Sequence, residues 1–191
     1  MDFEILTLLV TISLAATGIA ATYWNTLAAA KRKERLDLVN RRIADFYGPL
    51  FVLTRAGEAA YRAFETRVGR ESDPSLTEPL TSDELAEWRV WVKHVFMPLN
   101  EARERLIREK AYLIREHEMP ECLLTFVTHV SSWKAVIAKW EDGDFTDVFS
   151  VVDYPEELGA YATDSYLELK TQQLTLIRAF GMKGRALARS V

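Results

Sequence analysis

The residues of this chain best suited to chemistry fall between positions 117 and 153, and three kinds of site are conceivable there. His117, Glu121, Cys122 and His129 are all metal-ligand types, but their spacing matches neither a zinc-finger pattern nor H-E-x-x-H. Asp142, Asp144 and Thr146 begin like a calcium loop. An EF-hand then requires Gly at the sixth position and expects Glu at the twelfth, where this chain has Asp147 and Asp153. His129, Ser131 and Ser132 are neighbours in sequence, yet a nucleophile needs a base and an orienting group that converge in space. No Gly-rich phosphate loop occurs. The reading is therefore of no catalytic, cofactor or metal residues, with His94 and His129 as histidines satisfied in the core or at its boundary.

The elements that would position such residues read as helices. With 191 residues, 49% of them hydrophobic, the chain is long enough for one domain of ordinary size plus an appendage. Cys122 is the only cysteine, so no intrachain disulfide can form. The net charge of -4 is unevenly spread, because residues 1–30 hold no Lys or Arg and only Asp2 and Glu4 as acids. The remainder, 24 basic residues against 28 acids less those two, is close to neutral and a poor match for nucleic acid.

From Ile5 to Ala30 no residue is charged, and as a helix this run would span about 39 Å against a hydrocarbon core of about 30 Å. Tyr23 and Trp24 stand where interfacial aromatics belong, and Lys31, Arg32, Lys33 and Arg35 come directly after. The competing readings are a cleaved signal peptide ending at Ala28-Ala29-Ala30 and a buried core helix. An acidic start and an over-long apolar stretch argue against the first, and the cationic cluster against the second. The positive flank predicts a single-pass protein with its N-terminus outside and the succeeding domain cytoplasmic. On a helical wheel Thr7, Thr11, Ala15, Gly18, Thr22 and Asn25 fall within about 80° of one another, a small-residue seam that predicts a homo-oligomer. That seam continues through Ala29, Arg32, Leu36, Val39 and Ile43, so one helix is expected from about Ile5 to Tyr47.

Beyond the span, Leu36, Val39, Ile43, Phe46, Leu50, Leu53, Gly57, Ala60 and Phe64 recur at helical spacing, interrupted by Gly48-Pro49, where a kink that keeps the stripe in phase is expected. A loop with Gly69, Pro74 and Pro79 comes next. Thr81 and Glu84 make a capping box for a second helix with Leu85, Trp88, Val92 and Val95 inside, Pro98 as a second kink, and Leu99, Ala102, Leu106 and Leu113 continuing the face. A third helix opens at Pro120 with Leu123, Val127, Val130, Ile137 and Trp140. After the irregular acidic stretch from Glu141 to Tyr154, a fourth opens at Pro155 and ends at Gly181.

The fold class expected is all-α: an N-terminal single transmembrane helix continuing into a kinked four-helix bundle. Its parts are an anchor over 1–30, a cytoplasmic bundle over 31–181 and a basic tail over 182–191. If the helices alternate in direction, the loops around 69–81 and 142–154 share the end far from the membrane, while Lys183, Arg185 and Arg189 return to anionic headgroups. The far end is acidic: Asp142, Asp144, Asp147 and Asp153 in one loop, Glu71, Asp73 and Glu78 in the other. It is expected to dock a basic cytoplasmic protein or a divalent cation. The function expected on these grounds is a membrane-tethered interaction or regulatory module that self-associates and docks a partner. The alternative is a membrane-active effector whose assembled spans conduct ions or permeabilise the bilayer.

Overall fold

The computed structural model describes residues 2–70 and 79–188. Helices make up 84% of the chain and no strand occurs among the described residues, so the protein is all-α. The helices are α1 (Asp2–Arg42), α2 (Gly48–Val68), α3 (Ser82–Trp91), α4 (Met97–Lys110), α5 (Glu121–Glu141) and α6 (Glu157–Ala188). Short π turns at Ile43–Tyr47 and Val92–Phe96 join α1 to α2 and α3 to α4, which leaves four helical rods.

Each π turn stands just ahead of a proline, and the reason is steric. In a regular helix the Pro49 ring would press on the Asp45 carbonyl, and the Pro98 ring on that of His94. Widening the turn relieves both. Gly48 N–H now bonds Ile43 O, and Met97 N–H bonds Val92 O, each five residues back. The extra residue adds polar positions to the buried face after Pro49 and shifts that face after Pro98. Leu50 and Phe64 remain fully buried, but Tyr47, Thr54 and Glu65 join them, while Leu53 and Ala60 are only half-buried. After Pro98 Asn100, Arg103 and Ile107 are buried, each one residue beyond the expected Leu99, Ala102 and Leu106, while Leu113 is buried as expected. Polar side chains thereby enter the core.

Two compact units divide the chain, residues 41–171 and the pair of segments 1–40 and 172–191. In the 41–171 unit the rods alternate in direction. Arg103 lies 3.0 Å from where a Cβ on Gly57 would stand, while Phe64 meets Trp88 and Phe96 at ring distances of 5.2 and 6.1 Å, so α2 and the α3–α4 rod are antiparallel. Lys134 to Glu104 at 2.7 Å and Lys93 to Glu141 at 3.0 Å set α5 antiparallel to that rod. Phe51 stacks on Tyr166 at 4.8 Å, and Glu58 approaches Gly159, which turns α6 against α2. This is a four-helix bundle in which the α5 aromatic residues Phe126, Trp133 and Trp140 are buried.

In the other unit, Gln173 Nε2 donates to Asn40 Oδ1 at 2.7 Å, bringing the second half of α6 beside α1. The expected stop at Gly181 does not occur. Helix α6 continues to Ala188, because Gly181 is compatible with a helix interior when nothing forces it into the left-handed region. Residues 3–26 of α1 are exposed throughout. Among the described residues one helix, running from Phe3, is long and apolar enough near the N-terminus to cross a membrane, and none of its apolar window is buried. The core-helix reading of that segment is thereby excluded.

Candidate functional site

The segment between α5 and α6 has no regular structure, yet it is closely fixed, and the site is built around it. Helix α5 ends where Asp142 N–H bonds Ala138 O, and Gly143, at φ +82°, turns the chain through the left-handed region. Asp144 then accepts from both the backbone N–H and the hydroxyl of Thr146, at 3.0 and 2.7 Å. Those bonds lower its carboxyl below the usual aspartate range. From here to Tyr154 the chain crosses the bundle as a strap.

Ring and guanidinium donors from three helices hold the strap. Trp140 Nε1 donates to Asp147 O at 2.7 Å, and Trp88 Nε1 to Val148 O at 3.1 Å. His129 Nδ1 lies 2.6 Å from Val152 O, and Arg103 Nη1 donates to Tyr154 Oη at 2.8 Å. A buried Trp or His whose polar atom reaches a loop carbonyl gains its apolar burial without stranding a donor. The strap is thus fastened along its length. Trp88 also carries Phe149 on its ring at 5.5 Å, and Arg89 lies over Phe145 at 4.5 Å.

Beneath Tyr154 the interior is polar. Arg103, buried on α4, bonds Asn100 as well as Tyr154, and its guanidinium lies 4.7 Å over Phe126 and 5.7 Å over Tyr154. No carboxylate among the described residues forms an ion pair with it. Stacking and neutral hydrogen bonds replace a counterion there. His129 Nε2 accepts from Trp133 Nε1 at 3.1 Å, so both ring nitrogens are committed. Burial, followed by the Arg103 charge, lowers its pKa below the ordinary histidine value.

The candidate chemistry of the sequence disperses accordingly. Ser131 bonds Val127 O on its own helix, at 3.0 Å, and does not meet His129. No group of three or more His, Cys, Asp or Glu side chains converges on a metal position among the described residues. Glu121, Cys122, Asp153, Glu156 and Glu157 do share a groove of ≈ 650 Å³. There burial pushes the Cys122 thiol up, which keeps it in the unreactive protonated form. His94 departs from its expected place in or beside the core. It is exposed, in a second groove with Arg89, Lys93 and Phe145.

The docking aspartates are not equivalent. Asp147 pairs with Lys139 at 2.6 Å, while Asp142 and Asp153 are exposed and form no ion pair among the described residues. Phe145, Phe149 and Val151 are also exposed, Val151 to 89%, so the strap presents apolar side chains among its acids. Glu71, Asp73, Glu78 and Arg189 lie outside the described residues.

In the apolar helix, Tyr23 and Trp24 are exposed and pack edge to face at 6.1 Å. Beyond them Lys31, Lys33 and Arg35 are exposed and Arg32 is half-buried. Nothing within 4 Å would meet a Cβ on Gly18. Thr7, Thr11 and Thr22 donate to carbonyls four residues back, Phe3 O, Thr7 O and Gly18 O, at 2.8–2.9 Å. Their hydroxyl protons are used within the helix. Comparison with protein-family models, curated proteins and solved structures returns no match for this chain.

Proposed function

We propose that the protein is a membrane-tethered helical interaction module, anchored by one pass of α1, which self-associates along that span and docks a cytoplasmic partner on the strap. The observation that carries this reading is the complete exposure of the apolar window of α1 in an otherwise well-packed chain. A helix of that length and composition is stable only where hydrocarbon covers it. The basic cluster Lys31–Arg35 and the aromatic pair Tyr23 and Trp24 support a cytoplasmic bundle and contact with anionic headgroups.

Self-association through Thr7, Thr11, Ala15, Gly18, Thr22 and Asn25 rests on close packing at the small residues. Because the threonine protons already bond the helix's own carbonyls, Asn25 is the main side-chain donor available across the seam. At the strap, Asp142 and Asp153 beside Phe145 and Val151 favour a partner surface that is basic and partly apolar.

The test is a pull-down from native membranes with the full chain, comparing Val151→Lys and Asp142→Lys with the wild type. Neither side chain fastens the strap, so loss of a salt-sensitive partner with membrane attachment intact supports docking. Equal recovery from all three removes it. Ion or dye leakage from vesicles carrying the purified protein would instead favour the conducting effector.

A further inference from the structure

The first turn of the strap closes a groove whose chemistry is opposite to its own. Between α3 with its π turn and the end of α5 lies an open groove of ≈ 240 Å³, with Val90, Trp140 and Phe145 as apolar walls and Arg89, Lys93 and His94 as polar ones. No acid is among the residues that line it. Sites for cofactors and drug-sized ligands measure about 300–1,000 Å³, so this one has room for a single side chain.

Arg89 is the unengaged cation. Its guanidinium lies 4.5 Å over the Phe145 ring, a contact that uses none of its N–H groups in a hydrogen bond. Among the described residues its side chain forms no ion pair and donates no hydrogen bond. The acids of the adjoining turn do not supply one: Asp144 accepts from Thr146, and Asp147 pairs with Lys139. Lys93 is engaged by Glu141 at 3.0 Å, but that acid is exposed, and such pairs are weak enough for another carboxylate to displace. His94 is exposed beside them. On the apolar side, Val90 and Phe145 are 54% and 51% exposed. A basic ligand would be repelled here, and a purely apolar one would desolvate Arg89 without giving it an acceptor. The ligand that satisfies both walls brings an apolar side chain and a carboxylate within a residue of each other.

We propose that this groove is an anchor site for an apolar side chain flanked by a carboxylate, as where Leu or Phe stands next to Asp or Glu in the docking segment of a partner protein. Phe145 belongs to both strap and groove. One docked segment then sets basic side chains against the strap acids and an apolar–acidic pair in the groove, and this alternation fixes its register. That use of the groove rests on the docking reading, whereas its preference for a carboxylate does not.

The full chain in detergent micelles is titrated with acetyl-Phe-Glu-amide, acetyl-Phe-Gln-amide and acetyl-Phe-Lys-amide, following the NMR signals of the Trp140 indole N–H and the Val90 methyls. Val52, an exposed valine on α2, reports any partitioning of peptide into the micelle. The expected result is saturable shifts with the Glu peptide, about threefold to fivefold weaker binding of the Gln peptide, as for a carboxylate paired at a half-exposed site, and no binding of the Lys peptide. Arg89→Gln should make the Glu and Gln peptides bind alike, while Arg105→Gln, which removes an exposed charge from α4, should keep the preference. No saturable shift, equal affinity for the three peptides, or a preference that survives Arg89→Gln overturns the proposal. The pull-down separates it from the docking reading. Partner loss from Val151→Lys with the Glu peptide unbound refutes the groove and leaves docking in place; peptide binding with full recovery from the strap variants does the reverse. A partner kept by Arg89→Gln but lost by Val151→Lys removes the anchor role.

Discussion

Gly48→Ala tests the π turn that sets the phase of the bundle, because the sign of its effect differs between two backbones. In the interior of an ordinary α-helix this substitution is stabilising by about 0.5–1 kcal/mol, since Ala restricts the unfolded chain more than Gly. Here an added Cβ would stand 2.5 Å from Ile43 O and 3.6 Å from its carbonyl carbon, with Tyr166 Cε2 at 3.9 Å on another side. Ile43 O is the acceptor of the Gly48 N–H, so it cannot withdraw without opening the turn. Forcing a methyl against fixed backbone costs about 1–3 kcal/mol. The alternative escape, collapse to a regular α-turn, would rotate everything after it by about 100° and carry Leu50, Thr54 and Phe64 off the core. Either route gives a net loss, about 1–2 kcal/mol by the first. The assay is denaturant unfolding of the full chain in mild detergent, monitored by the fluorescence of Trp88, Trp133 and Trp140. Gly18→Ala, at a glycine with open space around it, is the control and should leave the midpoint nearly unchanged. A Gly48→Ala variant that unfolds at higher denaturant than the wild type would refute the π-turn argument.

Thr81→Ala should lower stability by about 1 kcal/mol in the same assay, because it removes the side-chain half of a capping box in which Glu84 N–H meets Thr81 Oγ1 and Thr81 N–H meets Glu84 Oε2. Glu84 is held at a pKa of about 2, chiefly by Arg70, so its stabilising contribution is complete above the usual 4.5 and is lost as pH falls toward 2. Glu84→Gln should therefore flatten the acid limb of the stability profile in that window, measured by tryptophan fluorescence. Replacing Thr11 and Gly18 together by Leu should abolish crosslinking within membranes and leave bundle unfolding unaltered, since both residues are exposed and belong to the other compact unit. Two alanines inserted after Ala30 turn the downstream chain by about 200° about the helix axis relative to the span, and partner recovery in the pull-down should fall if anchor and bundle act in register.

Helix identity was legible because its signals are local. The Thr81–Glu84 box, the apolar run before Lys31 and the 3.6-residue stripes each depend on residues within a turn or two of one another. The phase of the stripe directly after Pro98 was not legible. A proline in a helical pattern announces that one hydrogen bond is missing, but a kink and a π turn both answer that demand. Only the second inserts a residue. Arg103 and Asn100 thus read as surface positions in a regular helix and occupy the core in this one. One trace of this does exist in the sequence: downstream of Pro98 a regular phase buries Leu99, Ala102 and Leu106, a thin face for a helix packed in a bundle.

The strap was hidden for a different reason. Its composition, rich in Asp and without Lys or Arg, reads as a solvated turn, and no feature within it predicts order. What orders it is distant in sequence: Trp88 lies 60 residues from Val148, Arg103 51 from Tyr154, and His129 23 from Val152. These donors share a property that is readable in retrospect. Tryptophan and histidine in a core each bring a polar atom that must find a partner, and when the helices around them use their own carbonyls internally, the open carbonyls are those of a loop. Trp88, Trp140 and His129 in adjacent rods therefore require a non-helical segment across them, and the stretch from Asp142 to Tyr154 is the one the up-and-down order of the bundle delivers to that face. Its acids remain outward because the carbonyls face in. The same arrangement that makes the strap a presentable surface makes its integrity depend on donors in the core.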